Sequence, residues 1–331
     1  MSRVLVTGAA GFVTINVVRA LAARGHHVVA LDHRAADEAA RAYAGGSVGW
    51  TIGDVRDAAA LARAIKSHAI EVMVHGAAVT ATTPAWERER AADVFGVNVL
   101  GTIAALESAH AAGVRRVVLL SSASAVGQRD PGEAFIPEAA PAAPTDLYGI
   151  SKRALELVAG RLAELYTPHV VMVRLSQPYG PMERPSPDRA ALSPIAEWVT
   201  AAHQGRFLTT PSLEIAKDWI YIEDVAEAFV RLVEAPDLRY PVYNLGLGVN
   251  VSVREVIDEI RRAWPRLEVN VMPNWTPNPN LSGDRLRPPL QMTRLAEDVG
   301  FRPRFSIAEG IARYAEWVRG DGGVKGGDEA R

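Results

Sequence analysis

The sequence lacks cysteine altogether, and this absence removes several kinds of site from consideration. Disulfide bonds, thiol nucleophiles and cysteine-ligated metals all require the missing side chain. We also expect no bound metal of any other kind. A strong excess of one charge is missing too: the formal net charge is −2, which gives no reason to expect nucleic acid or an anionic membrane as a partner.

Long apolar runs are scarce as well. None approaches the roughly 18 residues that a membrane helix needs. The chain passes from Met1 directly into a short apolar run at residues 4–6, without the hydrophobic region of a signal peptide. We therefore expect a cytoplasmic protein. The 331 residues are 48% hydrophobic and 22% charged, which is typical of an ordinary globular protein with a sizeable core.

Short β-rich runs alternate with helical stretches in the first half of the chain. Near-continuous apolar strands separated by helices predict a parallel sheet covered on both faces. The first helix is expected from about residue 12 to residue 24. The predicted strands include residues 4–6, 28–31, 71–74, 116–120 and 169–175.

The sequence pattern changes after about residue 176, where prolines interrupt the alternation of predicted strands and helices. Six prolines fall between residues 265 and 289, and we interpret this segment as a long ordered loop. The glycine-rich residues 320–331 are expected to form a disordered tail.

A glycine-rich turn follows the first predicted strand, with the sequence Thr7-Gly8-Ala9-Ala10-Gly11-Phe12-Val13-Thr14. Gly8 permits a tight turn, and Gly11 lets the backbone approach a pyrophosphate held at the helix N-terminus. Thr14 stands where a third glycine usually lies. Such a sequence can be a simple turn, but its place between strand and helix favours a dinucleotide site. The expected cofactor contacts here are Gly8, Ala10, Gly11, Phe12 and Val13.

An acidic residue ends the second predicted strand: Asp32 lies 24 residues beyond Gly8. A carboxylate at this place accepts hydrogen bonds from the adenosine ribose and repels a 2′-phosphate, which selects NAD over NADP. The alternative is that Asp32 caps the next helix. Arg34 is a nearby cation that could accommodate a phosphate, and so is His33. NAD remains the prediction.

The ends of the third and fourth strands also carry candidate cofactor residues, because ligands bind at the carboxyl ends of parallel strands. Asp54 would reach the adenine, with Val55 beside it, although Asp54 could equally cap the helix that begins near Asp57. Ala77 and Ala78 are small enough for the cofactor to lie against the backbone.

The most informative pattern is Tyr148-Gly149-Ile150-Ser151-Lys152. A tyrosine four residues ahead of a lysine puts both side chains on one face of a helix. The ammonium group then favours the phenolate and is expected to lower the pKa of Tyr148, which makes the phenol a useful base. Alone the pattern is weak, but behind a dinucleotide-binding turn it is specific.

With these residues in place, the chain resembles the extended short-chain dehydrogenase/reductase superfamily, in its NAD-dependent sugar epimerase/dehydratase branch. The resemblance covers nearly the whole chain. Further matching motifs are Asn98-Val99-Leu100-Gly101-Thr102, Leu120-Ser121-Ser122-Ala123-Ser124-Ala125-Val126-Gly127, Tyr179-Gly180-Pro181, Lys217-Asp218-Trp219-Ile220-Tyr221-Ile222-Glu223-Asp224-Val225 and Tyr243-Asn244-Leu245-Gly246.

The resemblance implies an α/β fold, a Rossmann-type doubly wound parallel sheet with a smaller C-terminal α/β substrate-binding part. Residues 1–175 are then the NAD-binding domain, with later segments such as 217–246 interleaved. Residues 176–319 are mainly the substrate-binding part. A homodimer and a small-molecule sugar substrate are expected.

The resemblance also assigns roles to individual residues. Tyr148 is similar to the catalytic acid/base, and Lys152 to the residue that holds the nicotinamide ribose and lowers the pKa of the tyrosine. The third catalytic residue is a serine or threonine near the end of the fifth strand, here Ser122, with Ser124 as the alternative. Either serine could simply bond the backbone at the strand end. Asn98 is expected among the cofactor contacts.

The residues after Ser122 bear on which reaction follows oxidation of the sugar. Dehydratases of the family resemble one another in an Asp-Glu pair there, and decarboxylases in a Glu, whereas this chain has Ala123, Ser124 and Ala125. A nucleotide-sugar epimerase is the first prediction. A dehydrogenase of a small sugar or sugar acid is the alternative, and an NAD-binding regulatory protein without turnover is the non-enzymatic one, against which the intact Tyr148 argues.

Substrate recognition departs from the family pattern. Gln177 stands where the family commonly has asparagine, Lys217 where it often has arginine, and Leu281 where a further arginine is usual; Arg285 or Arg287 could substitute. Loop cations could meet an anionic substrate or form solvated surface pairs; they are Arg184 and Arg189. Thr80, Thr82 and Thr83 could line the sugar pocket or be loop residues. The predicted substrate contacts are Thr80, Ser122, Ser124, Gln177, Arg184 and Lys217.

Overall fold

A seven-stranded parallel sheet forms the centre of the computed structural model, which describes residues 1–80, 83–130, 132–189, 191–275, 278–281 and 287–320. The strands of this sheet and of the smaller two-stranded sheets are β1 (Arg3–Thr7), β2 (His27–Asp32), β3 (Gly49–Ile52), β4 (Val72–His75), β5 (Arg116–Ser122), β6 (His169–Leu175), β7 (Gln177–Tyr179), β8 (Leu208–Thr210), β9 (Ala216–Lys217), β10 (Trp219–Tyr221), β11 (Val242–Leu245), β12 (Val251–Ser252) and β13 (Val269–Val271).

The helices that cover the sheet and build the C-terminal part are α1 (Phe12–Ala23), α2 (Glu38–Ala44), α3 (Ala58–Ser67), α4 (Pro84–Phe95), α5 (Gly101–Ala111), α6 (Leu147–Leu165), α7 (Pro194–His203), α8 (Ile222–Glu234), α9 (Val253–Ala263), α10 (Thr293–Val299) and α11 (Ile307–Arg319). A π-helical turn, Gly96–Leu100, joins α4 to α5, and a 3₁₀ turn, Ala123–Ala125, follows β5.

The strand order is β11-β6-β5-β4-β1-β2-β3, so β1 lies between β2 and β4 and the connections diverge on either side of it. Ligands bind in the crevice outside the carboxyl ends of the strands at such a switch point. The predicted Rossmann-type doubly wound sheet is therefore confirmed. The five predicted strands are all present, and the last of them has the predicted bounds, His169–Leu175.

Alternate residues of the central strands point to opposite faces and enter two separate hydrophobic cores. On β1, Val4 and Val6 pack in the larger core with α1 and α8, whereas Leu5 packs in the smaller core with α3, α5 and α6. Because both faces are covered, the strands are apolar on both sides, and this produces the near-continuous apolar runs of the sequence.

The C-terminal segments have two destinations. β11 returns to the edge of the central sheet beside β6, and α8 packs against α1. Residues late in the chain therefore complete the central sheet and one of the helix layers that cover it. The remainder includes α7, α9, α11 and the parallel pair β8 and β13. The predicted long loop at residues 265–289 contains the short strand β13 and a 3₁₀ turn, Pro279–Leu281; residues 321–331 of the expected tail lie outside the described residues.

One helical run among the described residues is long and apolar enough to cross a membrane by length and composition alone, contrary to the expectation from the sequence. It joins α4, the π-helical turn and α5 over Pro84–Ala111, and 44% of its most apolar stretch is buried inside the protein. The run packs against α3 and α6 through residues such as Ala105 and Leu106, which are fully buried. It serves as a core helix of the fold.

Candidate active site

A cavity of about 760 Å³ lies at the carboxyl ends of β1, β2, β4 and β5. Its wall is formed by the glycine-rich turn, the ends of these strands, the start of α6 and a segment after β7. The predicted cofactor residues that line it are Gly8, Ala10, Gly11, Phe12, Val13, Asp32, Asp54, Val55, Ala77, Ala78, Tyr148 and Lys152. The cavity stands where an open α/β sheet binds a dinucleotide.

The glycine-rich turn fits a pyrophosphate. Gly8 has φ of +64°, and a Cβ there would lie 2.6 Å from the Cα of Ala77, so no other residue is tolerated. Gly11 stands at the N-cap of α1, whose first-turn backbone amides favour an anion. Thr14 occupies the place of the third glycine because Gly76 leaves room for it: a Cβ on Gly76 would lie 2.3 Å from the Thr14 methyl.

Asp32 lines the cavity and is not a helix cap. One of its oxygens accepts the backbone N–H of Ala10 at 3.0 Å, and the other lies 3.0 Å from Nδ1 of His33. The following helix, α2, is capped by Asp37, which accepts the N–H of Ala40. The turn and this carboxylate together fit the pyrophosphate and adenosine ribose of NAD.

Asp54 is likewise not a cap, because Asp57 accepts the N–H groups of Ala59 and Ala60 at the start of α3. The Asp54 carboxylate instead forms a forked ion pair with Arg56, with a shortest contact of 2.6 Å. The hydrogen bond from Arg56 lowers the pKa of Asp54. The carboxylate lies in the wall of the cavity and stays ionised.

Asn98 differs from the prediction, because this buried residue does not line the cavity. Its side chain accepts the N–H of Val79 at 2.8 Å and donates to the carbonyl of Val79 at 3.1 Å and to Ser151 at 2.9 Å. The π-helical turn directs the amide toward these groups. Asn98 therefore joins the loop after β4 to helix α6, behind the cofactor site.

The three predicted catalytic residues come together on two rigid elements. Ser122 ends β5, and Tyr148 and Lys152 lie one turn apart at the start of α6. The hydroxyls of Ser122 and Thr80 lie close enough to that of Tyr148 to lower its pKa by hydrogen bonding. Ser122 also accepts the N–H of Ser124 at 3.1 Å, so the backbone contact and the contact with the tyrosine coexist.

The acidity of this group differs from the expectation. Lys152 is buried, and burial lowers its pKa to about 8. Its Nζ lies 5.7 Å from the centre of the Tyr148 ring. Removal of the phenol from water raises the pKa of Tyr148, whereas the hydrogen bonds from Ser122 and Thr80 and the charge of Arg189 act in the opposite direction. Desolvation has the largest effect, so the pKa of Tyr148 lies above its ordinary value and not below it.

A buried ion pair supports the lysine from behind and was not predicted from the sequence. Arg174 on β6 donates two hydrogen bonds of 2.8 Å to the two oxygens of Glu156, and Ser121 donates a third at 2.8 Å. The negative charge of Glu156 raises the pKa of Lys152 against the effect of burial. Its position four residues after Lys152, on the same helix face, was the available signal.

A second cavity of about 80 Å³ adjoins the first, and Ser122, Ser124 and Gln177 line both. Two cations line the smaller one, Lys217 and Arg287. Lys217 donates a hydrogen bond to the carbonyl of Asn280. Leu281, at the position of the usual family arginine, is buried; Thr82 and Arg285 lie outside the described residues.

The loop arginines after β7 are paired with carboxylates. Arg184 lies 2.9 Å from Asp37 in a partly exposed ion pair. Arg189 binds the buried Glu183, and its guanidinium lies 5.3 Å from the centre of the Phe12 ring at the start of α1. Both arginines line the large cavity. Among the described residues, no group of acidic residues and histidines could hold a metal ion.

Comparison with known proteins shows the family of the chain. The model of the NAD dependent epimerase/dehydratase family matches residues 4–246. The UDP-glucose 4-epimerase of Mycolicibacterium smegmatis is 31% identical over 320 residues, which cover 96% of this chain and 98% of the relative.

Two solved structures are also similar over their lengths. UDP-glucose 4-epimerase from Thermus thermophilus in complex with NAD has a TM-score of 0.80 at 28% identity, covering 96% of this chain and 99% of the other. MoeE5 in complex with UDP-glucuronic acid and NAD has a TM-score of 0.81 at 28% identity, with the same coverage. NAD is thus the cofactor of this enzyme, and the chain belongs to the NAD-dependent epimerase/dehydratase family.

Proposed function

We propose that this protein is an NAD-dependent nucleotide-sugar epimerase that inverts a ring hydroxyl of a UDP-hexose. The observation that carries the proposal is the place of Tyr148. Its hydroxyl lies beside those of Ser122 and Thr80, and Ser122 lines both the cofactor cavity and the smaller cavity with cationic walls. A sugar bound where the two cavities meet has the Tyr148 phenol on one side and, on the other, cationic walls for the diphosphate of a nucleotide sugar.

In the proposed mechanism, Tyr148 accepts the proton of the substrate hydroxyl while Ser122 and Thr80 orient that hydroxyl. NAD, when bound, supplies the acceptor for the hydride that leaves the same carbon. Lys152 holds the nicotinamide ribose and keeps a positive charge near the phenolate. Tyr148 then returns the proton after the ketone has been reduced on its other face.

In an epimerase, the ketone intermediate must turn its other face toward the cofactor while it stays bound to the enzyme. The contacts that hold the substrate therefore have to lie outside the sugar ring. Lys217 and Arg287 supply positive charge in the smaller cavity for a diphosphate. The relatives named above act on or bind UDP-sugars, which supports the same handle here.

A neutral hexose is favoured over a sugar acid. The two cations of the loop after β7 are engaged by carboxylates, Arg184 by Asp37 and Arg189 by the buried Glu183. Dehydration is disfavoured because the residues after Ser122 bring no carboxyl group: Ala123 and Ala125 are buried in a 3₁₀ turn.

We further propose a cytoplasmic homodimer. Ile150 and Leu157 are seven residues apart on α6, so they share one face of the helix, and both are exposed, at 40% and 59%. Leu100, on the adjoining π-helical turn, is 62% exposed. These side chains would be covered by the same surface of a second copy. Sedimentation of the full chain at two concentrations tests this arrangement.

The test of the function is a titration followed by product analysis. UDP is added to the NAD-loaded protein, and UDP-glucose is then incubated with it while the sugar is followed by NMR. Binding of UDP and formation of the epimer without net NADH are expected. Lys217→Ala should raise KM strongly with a smaller effect on kcat, because a charge-assisted contact to the handle is lost. Net NADH from a free sugar acid, with no binding of millimolar UDP, would contradict the proposal and favour the dehydrogenase.

A further inference from the structure

Asp188 contributes a second carboxylate to the adenosine end of the cofactor cavity. It lies in the segment after β7, and its side chain is 2.8 Å from Nη2 of Arg34 and 3.4 Å from Nε2 of His33. On its other side it lies 3.5 Å from Arg90 of α4. Its backbone carbonyl accepts the N–H of Thr80 at 2.8 Å, which fixes the segment across the crevice.

The three cations around Asp188 differ in what else they contact. Arg90 also binds Asp93 at 3.2 Å, and His33 also binds Asp32 at 3.0 Å. For Arg34, Asp188 is the carboxylate that its guanidinium contacts within the described part of the chain. Loss of the Asp188 charge would therefore release Arg34 in particular.

Arg34 is also the residue that would otherwise favour the wrong cofactor. It follows the ribose-binding Asp32 by two positions and lines the same cavity. A guanidinium placed there can bind a 2′-phosphate with its fork of donors. With Asp188 bound to it, this cation is neutralised, and the carboxylates of Asp32 and Asp188 line the cavity beside it.

We infer that Asp188 is a specificity-determining residue for the cofactor: by pairing with Arg34, it prevents the segment Asp32-His33-Arg34 at the end of β2 from binding NADP. The selection of NAD then depends on two carboxylates, one of them separated by 154 positions from the arginine that it neutralises. This inference concerns cofactor binding and holds whichever substrate the enzyme uses.

The experiment is calorimetric titration of NAD and of NADP into the full-length protein and its variants. Asp188→Asn removes the charge and keeps the shape and the backbone contact to Thr80. It should tighten NADP by roughly tenfold, the effect of one charge-assisted contact. NAD affinity should change less than threefold. The double variant Asp188→Asn, Arg34→Ala should lose the gain for NADP.

Two single variants complete the design. Asp93→Asn removes a carboxylate that binds Arg90 but not Arg34, so the ratio of NADP to NAD affinity should stay as in the parent. Arg34→Ala, at a side chain that is 47% exposed, should also leave NADP binding nearly unchanged, because Asp188 already occupies the arginine.

Three results would overturn the inference. Equal weakening of both cofactors in Asp188→Asn would mean that the residue only anchors its loop. If the double variant Asp188→Asn, Arg34→Ala still bound NADP more tightly than the parent, the effect of Asp188 would not act through Arg34. A tenfold loss of NADP affinity in Arg34→Ala alone would show that Arg34 already serves the phosphate.

Discussion

The ammonium group of Lys152 donates a hydrogen bond of 2.8 Å to the carbonyl oxygen of Leu120. Leu120 lies on β5 two residues before Ser122, so the contact fixes the start of α6 against the end of that strand. The proposed catalytic residues thereby keep their positions through a strand and a helix that are both packed in the core. Sites that are built on such elements are held more exactly than sites on loops.

The role of the phenol can be tested by Tyr148→Phe. We expect NAD binding and thermal stability close to those of the parent and a loss of at least about 100-fold in kcat, the usual contribution of a positioned acid/base. The matched control is Tyr166→Phe, at the end of the same helix, which should keep full activity. Retained turnover in Tyr148→Phe would assign the proton transfer to another group.

The choice between the two serines is tested by comparing Ser122→Ala with Ser124→Ala. Of these two serines, Ser122 is the one whose hydroxyl lowers the pKa of Tyr148. Ser122→Ala should slow kcat by about 10- to 100-fold with little change in NAD affinity, whereas Ser124→Ala should be mild. The opposite ranking would make Ser124 the catalytic hydroxyl.

The buried pair behind the lysine should matter for stability. Glu156→Gln leaves Arg174 buried with an incomplete partner, and we expect the free energy of unfolding to fall by about 3 kcal/mol. Glu164→Gln, on the same helix, breaks an exposed pair with Arg161 and should change it by less than about 0.5 kcal/mol. Urea unfolding of both variants makes the comparison. Similar small losses in both would mean that the buried pair adds little.

A buried histidine predicts how stability depends on pH. His75 lies between Thr7 and Thr102, and burial lowers its pKa to about 3 from the ordinary 6.5. Below pH 6.5, His75 is therefore protonated in the unfolded chain but stays neutral in the folded protein. The stability that depends on neutral His75 is complete above pH 6.5 and is lost toward pH 3, by about 1.4 kcal/mol per pH unit.

His75→Gln isolates this effect. The variant should be less stable than the parent at pH 7 by about 1 to 3 kcal/mol, because packing is disturbed. The parent should lose about 2.8 kcal/mol relative to the variant as the pH falls from 6.5 to 4.5, since only the parent carries the histidine, so its initial advantage disappears or reverses. Urea unfolding across this range measures it, and a constant difference would remove His75 from the acid sensitivity.

The predictable and the unpredictable parts of this protein differ in how local their causes are. The strands and the glycine-rich turn follow from neighbouring residues, and so does the Tyr148–Lys152 pair. The role of Asn98 depends on a π-helical turn, and that of Glu156 on an arginine from β6. Asp188 meets Arg34 only after the chain has folded back across the crevice, so no spacing in the sequence marks it.

The most direct test of the central claim follows the hydride. UDP-glucose carrying deuterium at the carbon of the inverted hydroxyl is incubated with the NAD-loaded enzyme, and product and cofactor are analysed by mass spectrometry and NMR. We predict that the epimer keeps deuterium at that carbon, with no net formation of reduced cofactor and with turnover at least about 100-fold slower in Tyr148→Phe. Release of a ketone, with deuterium accumulating in the reduced cofactor, would contradict it.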